Sequence, residues 1–579
     1  MIGNVDNLLK IRELALMLRI LEIIKSGQRI VKPVGMACIL SITSLSLLEA
    51  ADQPNILFIF SDDHALRTIS AYSGAEGINQ TPNIDRIANE GAVFTRSFCG
   101  NSICQPSRAS ILTGKHSHKN GVIRNGSRWD KQQQIFPRLI SAAGYQTALV
   151  GKWHMHPMPT TEFDYHFTLS GHGGQGRYYN PEFEDNDGKL VKVDGYSTDI
   201  ITSKAMAWMD GRDKSKPFML MTQFKSPHTN VMPALRHLSL YKDVTFSVPD
   251  TYHSDLSGRN PYLNHSFMKM SGMRDSDVLK TGAQKGTYSL PEKNKKSIIA
   301  AKHKGVPGFY SYLTPSQLEK WHAHYDPINA EYGRRLAAGD VSKKEQDEFP
   351  YQRYIKDYLR CVAAVDENVG RLLKYLDDNG LSENTIVIYS SDQGFLLGEN
   401  GMTDKRLMDE VTMQMPFIAR WKGVIKPGQR IDSMIQNIDY GPTFIAAAGL
   451  PVPEDMQGRS LLPIFKGEEP ADWRKSVYYS YHQSGAYNLP KIEGARGERY
   501  KIIRYYDHPK LKLGEQWELF DLKLDPKEQK SLATNPEYAE VMKKMRAELD
   551  ALRDQYDVKA YEKKSPVRQA KHSPKRGVN

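Results

Sequence analysis

Residues 55–60 read Asn-Ile-Leu-Phe-Ile-Phe and lead directly into Ser61, Asp62 and Asp63. Because the run is apolar at nearly every position, it suits a strand that is buried on both faces of a parallel sheet. Three further runs have this form and also end in polar residues: 147–150 (TALV, before Gly151-Lys152-Trp153-His154), 218–224 (FMLMTQF, before Lys225-Ser226-Pro227-His228) and 385–389 (TIVIY, before Ser390-Ser391-Asp392-Gln393-Gly394). Ligands bind beyond the carboxyl ends of parallel strands, so we expect the four polar clusters to meet in one crevice.

Helical patterns lie between these strands. Residues 83–91 and 136–144 each end in glycine, a common helix stop, and apolar residues recur at helical spacing over 354–380. Strands that alternate with helices predict an α/β fold with a large, mostly parallel sheet flanked by helices.

The carboxyl-terminal part has a different pattern. Short β-rich runs at 477–481, 500–506 and 517–520, followed by a helical stretch at 538–556, predict a smaller antiparallel sheet with one helix. The predicted boundaries are a leader with a signal peptide at 1–50, a main domain at 51–470 with a basic insert at 272–305, a carboxyl-terminal subdomain at 471–558 and a basic, disordered tail at 559–579.

The amino-terminal prediction rests on residues 34–48, an uncharged and largely apolar run that follows Lys32. The run is short for a membrane span and matches the hydrophobic region of a signal peptide. We therefore expect a mature bacterial protein that starts near Ala51, is periplasmic or secreted, and has no stable membrane anchor. A buried or interfacial helix is the alternative for the same run.

The net charge of +11 is unevenly distributed. The predicted leader contributes +2, the tail +6 and the insert +5, which leaves the rest of the chain at about −2. The basic excess therefore lies in accessory segments, and without a zinc-finger or RNA-binding signature in the sequence we expect no nucleic-acid partner. Hydrophobic residues make up 40% of the chain, as in ordinary globular proteins, and four cysteines are too few for a disulfide scaffold.

The segment that starts at Cys104 reads CQPSRASILTGK. Pro106 favours the first turn of a helix, which places Cys104 at a helix amino terminus, where free N–H groups favour an anion. Local chemistry alone leaves a buried thiol beside a helix cap as the alternative. The pattern C-x-P-S-R-A-x-x-L-T-G resembles the signature of the type I sulfatases of the alkaline phosphatase superfamily. The polar clusters after the four strands match further motifs of that family, in its order, over about residues 54–525.

The resemblance implies a calcium site in what would be a catalytic sulfatase domain at 51–470. The ligands would be Asp62, Asp63, Asp392 and the amide oxygen of Gln393, where many family members have Asn. Three carboxylates packed together need a cation, and an all-oxygen set suits a hard ion such as Ca²⁺.

The resemblance also implies a modified nucleophile, because in this family the cysteine that corresponds to Cys104 is oxidised to formylglycine. A formylglycine-generating enzyme or an anaerobic sulfatase-maturating enzyme would be the partner for that step. The aldehyde hydrates to a gem-diol, which also binds the metal. One hydroxyl attacks sulfur, and the second later loses its proton so that sulfate leaves by C–O cleavage.

Cations must surround the ester because negative charge spreads over the sulfonyl oxygens as the bond to sulfur breaks. By resemblance, Arg108 orients the diol and the metal site from one helical turn beyond Cys104. Lys152 and Lys405 match the family's sulfate-binding lysines, and Lys405 lies in a segment similar to the family's D-K motif.

By the same resemblance, His228 is the general acid for the leaving alcohol and His154 is the base that takes the second diol proton. His228 would also bind substrate, together with Lys152 and Lys405. Lys115 fits the extended signature, and we predict that Lys115 and His118 also bind substrate.

The predicted substrate is a sulfated carbohydrate, because parts of the chain are similar to exo-acting glycan sulfatases such as N-acetylglucosamine-6-sulfatases and iduronate-2-sulfatases. A 6-O-sulfated hexosamine or hexose is favoured. Candidate specificity residues are Asp404, Arg177, Tyr178, Tyr179, His482 and Arg496. Two alternatives stay open: a phosphonate monoester or phosphodiester hydrolase of the same superfamily, and a polyanion-binding protein with an unmodified Cys104.

Overall fold

The computed structural model describes residues 53–74, 77–171, 173–273, 275–280 and 310–564. The predicted leader, residues 281–305 of the predicted insert and residues 565–579 of the predicted tail lie outside the described residues. From Pro54 onward the described chain forms one compact unit, so the predicted carboxyl-terminal subdomain belongs to the same body as the main domain. None of the described helices is both long and apolar enough to cross a membrane.

The strands fall into one large sheet, one small sheet and two short pairs. Over the described residues they are β1 (Asn55–Ser61), β2 (Ala92–Phe94), β3 (Ser97–Phe98), β4 (Gln146–Gly151), β5 (Tyr165–Leu169), β6 (Glu182–Asp185), β7 (Leu190–Lys192), β8 (Phe218–Gln223), β9 (Thr385–Ser391), β10 (Leu396–Leu397), β11 (Thr403–Asp404), β12 (Phe417–Arg420), β13 (Gln429–Ile431), β14 (Ile435–Gln436), β15 (Val477–Tyr481), β16 (Lys491–Arg496), β17 (Tyr500–Tyr506) and β18 (Gln516–Asp521). Within that part of the chain, ten strands form the large sheet in the order β13-β2-β12-β9-β1-β8-β4-β5-β6-β7.

The helices range from single turns to one of 36 residues. Over the described residues the α-helices are α1 (Ser70–Ser73), α2 (Pro82–Asn89), α3 (Cys104–Thr113), α4 (Ser117–Asn120), α5 (Phe136–Ala142), α6 (Ser197–Gly211), α7 (Pro261–Asn264), α8 (Asp275–Val278), α9 (Pro315–Ala338), α10 (Lys343–Asp378), α11 (Glu410–Met413), α12 (Tyr440–Ala447), α13 (Leu462–Phe465), α14 (Ala539–Gln555) and α15 (Val558–Lys564). Short 3₁₀ turns lie at Leu66–Thr68, Leu235–His237, Met270–Gly272, Glu399–Gly401, Asn437–Asp439, Ala486–Asn488 and Pro536–Tyr538.

The four strands predicted from apolar runs are adjacent in the large sheet. β9, β1, β8 and β4 are neighbours in that order, and β1 is parallel to both β8 and β9. Alternate side chains of β1 enter two different cores, Ile56 and Phe58 on one face and Leu57 and Ile59 on the other. Burial on both faces is the reason that this strand is apolar at consecutive positions.

The edges make the large sheet mixed. β12 is antiparallel to both β9 and β2, and β6 is antiparallel to β5 and β7. The prediction of a large, mostly parallel sheet flanked by helices is confirmed.

The small sheet is antiparallel, in the order β15-β16-β17-β18, and α14 packs on it through Met545, Leu549 and Leu552. Its strand β16 was not predicted, because its sequence KIEGAR contains three charged residues and a glycine. The strand is nevertheless buried: Glu493 accepts a hydrogen bond from Tyr478, and a side chain at Gly494 would overlap the backbone oxygen of Ile502.

Two predicted boundaries differ from the structure. α10 begins at Lys343, eleven residues before the predicted start, with Ser342 as its amino-terminal cap and polar residues in its first turns. The predicted disordered tail is wrong over 559–564, which belong to α15. This helix is held because the Tyr561 ring packs 5.9 Å from the ring of His118, and Arg553 pairs with Glu562 at 2.7 Å.

Candidate active site

The polar clusters that follow the central strands meet at one edge of the large sheet, as predicted from the carboxyl ends of parallel strands. The backbone N–H of Asp63, after β1, donates to the Oδ1 of Asp392, after β9, at 3.0 Å. The carbonyl oxygen of Lys152, after β4, accepts a hydrogen bond from Arg108 of α3 at 3.1 Å. His228, in the segment after β8, lies 3.6 Å from the carboxylate of Asp63.

Asp63 is fully buried at the centre of the cluster. Its carboxylate accepts from the Nζ of Lys405 at 2.6 Å and from the side-chain amide of Gln393. Burial raises the pKa of Asp63 to about 6, although the charge of Lys405 acts in the opposite direction.

Two further ion pairs complete the cluster. Asp62 pairs with Lys152, and both side chains are fully buried. Asp392 accepts from the Nε and Nη2 of Arg108, each at 3.3 Å, and another nitrogen of Arg108 donates to Gln223. Three carboxylates are therefore matched by three cationic side chains.

The donor atoms fit a divalent cation. The Oδ1 of Asp62 and the Oε1 of Gln393 are buried oxygens that lack a hydrogen-bond partner within the described part of the chain. Potential ligand atoms of Asp62, Asp63, Cys104 and His228 all lie within 4.8 Å of one another. Buried oxygens without partners are costly, and carboxylate and amide oxygens suit hard cations. The oxygens of Asp62, Asp63 and Gln393 can therefore hold Ca²⁺ or a similar ion.

Cys104 is the first residue of α3, as the signature predicts, and it is fully buried. All ten residues of the helix are buried. Burial raises the pKa of the Cys104 thiol well above its usual range, so the unmodified side chain is a neutral thiol. The helix is fixed by Ser107, which donates to the backbone oxygen of Asp392 and accepts from the Nδ2 of Asn437 at 2.8 Å.

Both predicted catalytic histidines lie among cations. Burial is the main cause that holds the pKa values of His228 and His154 well below the usual range, and nearby lysine charges add to it. The Nδ1 of His154 is buried and has no hydrogen-bond partner among the described residues. Both imidazoles are therefore neutral at pH 7.

The backbone is unusual at several non-glycine residues in and beside the site, among them Asp63, His154 and the two neighbours of Lys405, Asp404 and Arg406. Asp63 and His154 have φ values of +63° and +55°, in the left-handed region that L-residues seldom adopt. The conformation of Asp63 is fixed from the backbone, because its carbonyl oxygen accepts from the hydroxyl of Tyr358 at 2.5 Å and its N–H is bonded to Asp392.

Gly151 lets Lys152 enter the cluster. Its φ is +116°, and a Cβ there would overlap the backbone oxygen of Gln223 on the neighbouring strand. We expect Gly151→Ala to lower the free energy of unfolding by about 3 kcal/mol or more, through strain and overlap together. Gly144→Ala is the matched control, because φ is +96° there but no heavy atom lies within 4 Å of the added Cβ. If denaturant unfolding gave the same loss of unfolding free energy for both variants, the overlap with Gln223 would contribute nothing.

Lys115 and His118, predicted on the substrate side, make their contacts away from this cluster. The Nζ of Lys115 pairs with Asp455, and the Nε2 of His118 lies 2.7 Å from the backbone oxygen of Tyr556 near the end of α14. The residues just after the signature form α4, which packs against α3 and α15. The structure gives both residues contacts that stabilise the fold.

The specificity candidates differ in their contacts. The hydroxyl of Tyr178 donates to the backbone oxygen of His228 at 2.7 Å, so this residue supports the site. The others are held by neighbours: Arg177 by the Tyr312 ring, Tyr179 by Pro233, His482 by Ser480, Arg496 by Glu410 and Asp404 by Arg406.

Sequence reasoning gave no role to Gln223, Asn437, Tyr358 or Lys225, although each is part of the site or its support. Gln223 and Lys225 lie at the end of β8, and that position was the available signal. Asn437 and Tyr358 are far away in sequence, and no motif marks them.

The Sulfatase family model matches residues 54–450, which include every element of the cluster described above. The chain belongs to the sulfatase family. A second family model, described as N-sulphoglucosamine sulphohydrolase, C-terminal, matches residues 398–555 of this sulfatase. The protein is accordingly a sulfuric ester hydrolase, and the predicted family and reaction are confirmed.

Among its relatives, the sulfatase is 39% identical to an N-acetylglucosamine-6-O-sulfatase from Bacteroides thetaiotaomicron over 528 residues, 90% of each chain. A solved structure described as being in complex with its substrate D-glucosamine-2-N,6-O-disulfate is also 39% identical, with a TM-score of 0.81 over 90% of this chain and 100% of that one. A phosphonate monoester hydrolase from Silicibacter pomeroyi shares the fold at 18% identity, with a TM-score of 0.62 over 87% of this chain and 96% of that one.

Proposed function

We propose that this sulfatase removes the 6-O-sulfate group from a glucosamine residue of a sulfated glycan. The observation that carries the proposal is the buried group of three carboxylates, with lysines and Cys104 beside it, in a chain that is 39% identical to an N-acetylglucosamine-6-O-sulfatase. Exo action follows the same similarity, because a single sugar is named as the substrate of the solved relative.

Two groups would complete the site. Asp62, Asp63, Asp392 and Gln393 would hold one Ca²⁺, and Cys104 would carry the oxidation to formylglycine. When bound, the cation would polarise the sulfate ester, and the hydrated aldehyde would supply the attacking oxygen.

The cations of the chain have two tasks in this proposal. Arg108 holds the carboxylate of Asp392 and the backbone at Lys152, so it fixes the relative positions of β9, β4 and α3. Lys152 and Lys405 are buried in the cluster beside Asp62 and Asp63, and each would donate to a sulfonyl oxygen of the bound ester. Fixed positive charge at that point stabilises the negative charge that develops during cleavage.

His228 would protonate the leaving oxygen, and the support for this role is its position after β8, 3.6 Å from the carboxylate of Asp63. A bound sulfate ester offsets the lysine charges around this imidazole and so favours its protonated form. His154, which follows β4, would be the base, and the support for this role is that its Nδ1 is buried and has no hydrogen-bond partner among the described residues.

We further propose that the protein is periplasmic or secreted, and that a formylglycine-generating or anaerobic sulfatase-maturating enzyme modifies Cys104. The support is the apolar run at 34–48 and the complete signature that starts at Cys104.

The matured enzyme should release sulfate from N-acetylglucosamine-6-sulfate with a kcat/KM at least about 100-fold higher than from the 3-O-sulfated sugar or from a 2-O-sulfated hexuronate. The physical reason is that a fixed site rejects an ester whose leaving oxygen is misplaced by an ångström or more. Ion chromatography of released sulfate measures each rate.

The same panel should include an aryl phosphonate monoester. Faster turnover of the phosphonate than of every sulfate ester would contradict the proposal and favour the phosphonate hydrolase alternative. Binding of sulfated polymers without any sulfate release, with Cys104 unmodified by mass spectrometry, would favour the polyanion-binding alternative.

A further inference from the structure

Lys225 is a buried cation that the proposed mechanism does not use. It lies two residues after the end of β8, and its carbonyl oxygen accepts from the backbone N–H of His228 at 3.0 Å. The side chain is only 7% exposed. Its ammonium group lies 5.4 Å from the ring centroid of Tyr178, the same tyrosine whose hydroxyl is bonded to His228. Lys225 is therefore built into the wall of the active site.

The contacts of Lys225 differ from those of the other site lysines. Lys152 pairs with Asp62, and Lys405 pairs with Asp63. Over the described ranges, no carboxylate lies within 4.0 Å of the Nζ of Lys225, and the aromatic face of Tyr178 is a weak substitute for an anion.

The charge of Lys225 acts on the rest of the site. It is among the causes that lower the pKa values of Lys152, His154 and His228, after burial in each case. Burial lowers the pKa of Lys225 itself to about 8, with Asp63 acting in the opposite direction, so the side chain is charged at pH 7.

The charges of the site leave Lys225 without a counter-charge. The three carboxylates of the cluster are already matched by Arg108, Lys152 and Lys405. A divalent cation would bring two positive charges, which one sulfate ester and one deprotonated nucleophile offset. Lys225 then remains a buried charge without a counter-charge, an arrangement that is costly unless a ligand supplies the anion.

We propose that Lys225 binds a second anionic group of the substrate, a sulfate group at another position of the same sugar. The inference rests on the proposed function and extends it to a doubly sulfated glucosamine. It agrees with the solved relative, whose named substrate carries one N-sulfate and one 6-O-sulfate group. The subsite would make the enzyme prefer the disulfated sugar over N-acetylglucosamine-6-sulfate.

The test compares kcat/KM for D-glucosamine-2-N,6-O-disulfate and for N-acetylglucosamine-6-sulfate. Lys225→Met keeps the apolar stem but removes the charge, so kcat/KM for the disulfated sugar should fall roughly 10- to 100-fold more than kcat/KM for the monosulfated sugar. Lys225→Arg keeps the charge and should retain most of the preference. Lys204→Met is the matched control, because Lys204 also lies over an aromatic ring, that of Phe167 at 5.0 Å, but on α6.

Other outcomes would overturn the proposal. An equal loss for both sugars would mean that Lys225 acts on the ester that is cleaved, and no loss for either would mean that it binds no substrate anion. If the wild-type enzyme releases sulfate from neither sugar, the proposed function fails. In that case, isothermal titration calorimetry in a Cys104→Ser background still tests whether Lys225 binds the second sulfate group. Lys225→Met must then weaken binding of the disulfated sugar and leave binding of the monosulfated sugar unchanged.

Discussion

Cys104→Ala should abolish sulfate release, with kcat reduced by at least about 10⁴-fold, because the alanine variant has no atom that can be oxidised to the proposed nucleophile. The fold should be unaffected in outline, since the side chain is small and lies at the first position of α3. Ion chromatography of released sulfate gives the rate. Mass spectrometry of the peptide that contains residue 104 shows whether the wild-type side chain is an aldehyde.

Cys99→Ser is the matched control for this variant. Cys99 is also fully buried, and its Sγ donates to the backbone oxygen of Thr412 at 3.7 Å, a contact that serine can keep. The control should retain nearly all activity. Sulfate release by Cys104→Ala at a rate close to that of Cys99→Ser would exclude residue 104 as the source of the nucleophile.

Asp392→Asn should reduce kcat by roughly 10³-fold, because a metal that polarises the ester contributes several kcal/mol to the reaction. Calcium should also stabilise the wild-type protein, by about 2.7 kcal/mol at a concentration of 100 times Kd. The variant should lose that stabilisation, since the proposed cation would be left with one charged ligand fewer. Thermal unfolding of chelator-treated protein, with and without CaCl₂, measures the second effect independently of activity.

Asp366→Asn is the control for Asp392→Asn. Asp366 is a buried carboxylate that accepts hydrogen bonds from the backbone N–H groups of Asn83 and Ile84 at the start of α2, away from the cluster. Its replacement should change the stability of the protein but leave the calcium-dependent shift intact. A shift that survives in Asp392→Asn and disappears in Asp366→Asn would rule out the proposed ligands.

The central strands and the site at their ends could be predicted because one physical cause, burial of a strand on both faces, produces both the apolar run and the polar residues that follow it. A strand that is buried on both faces must be apolar at consecutive positions, and its polar successor must then lie at the sheet edge. β1 and β9 show this clearly, and so Asp63 and Asp392 were assigned to one site although 328 residues separate them in sequence.

Other features could not be predicted because their cause is tertiary. β16 carries charged side chains whose partners, such as Arg553 for Glu493, come from elsewhere in the chain. The first turns of α10 are polar, so no apolar pattern marks them. His118 lies just after the signature, but the chain turns at Gly114 and directs it toward Tyr556, away from the carboxylates.

The complete burial of α3 has a consequence for how the protein is made. A maturation enzyme cannot reach a fully buried Cys104, so the proposed oxidation would have to be finished before the segments around α3 fold against it. Asn437 is synthesised more than 300 residues after Cys104. If Cys104 is oxidised as proposed, the signature would be accessible to the maturation enzyme while these residues are being synthesised, and folding of the completed chain would end that access.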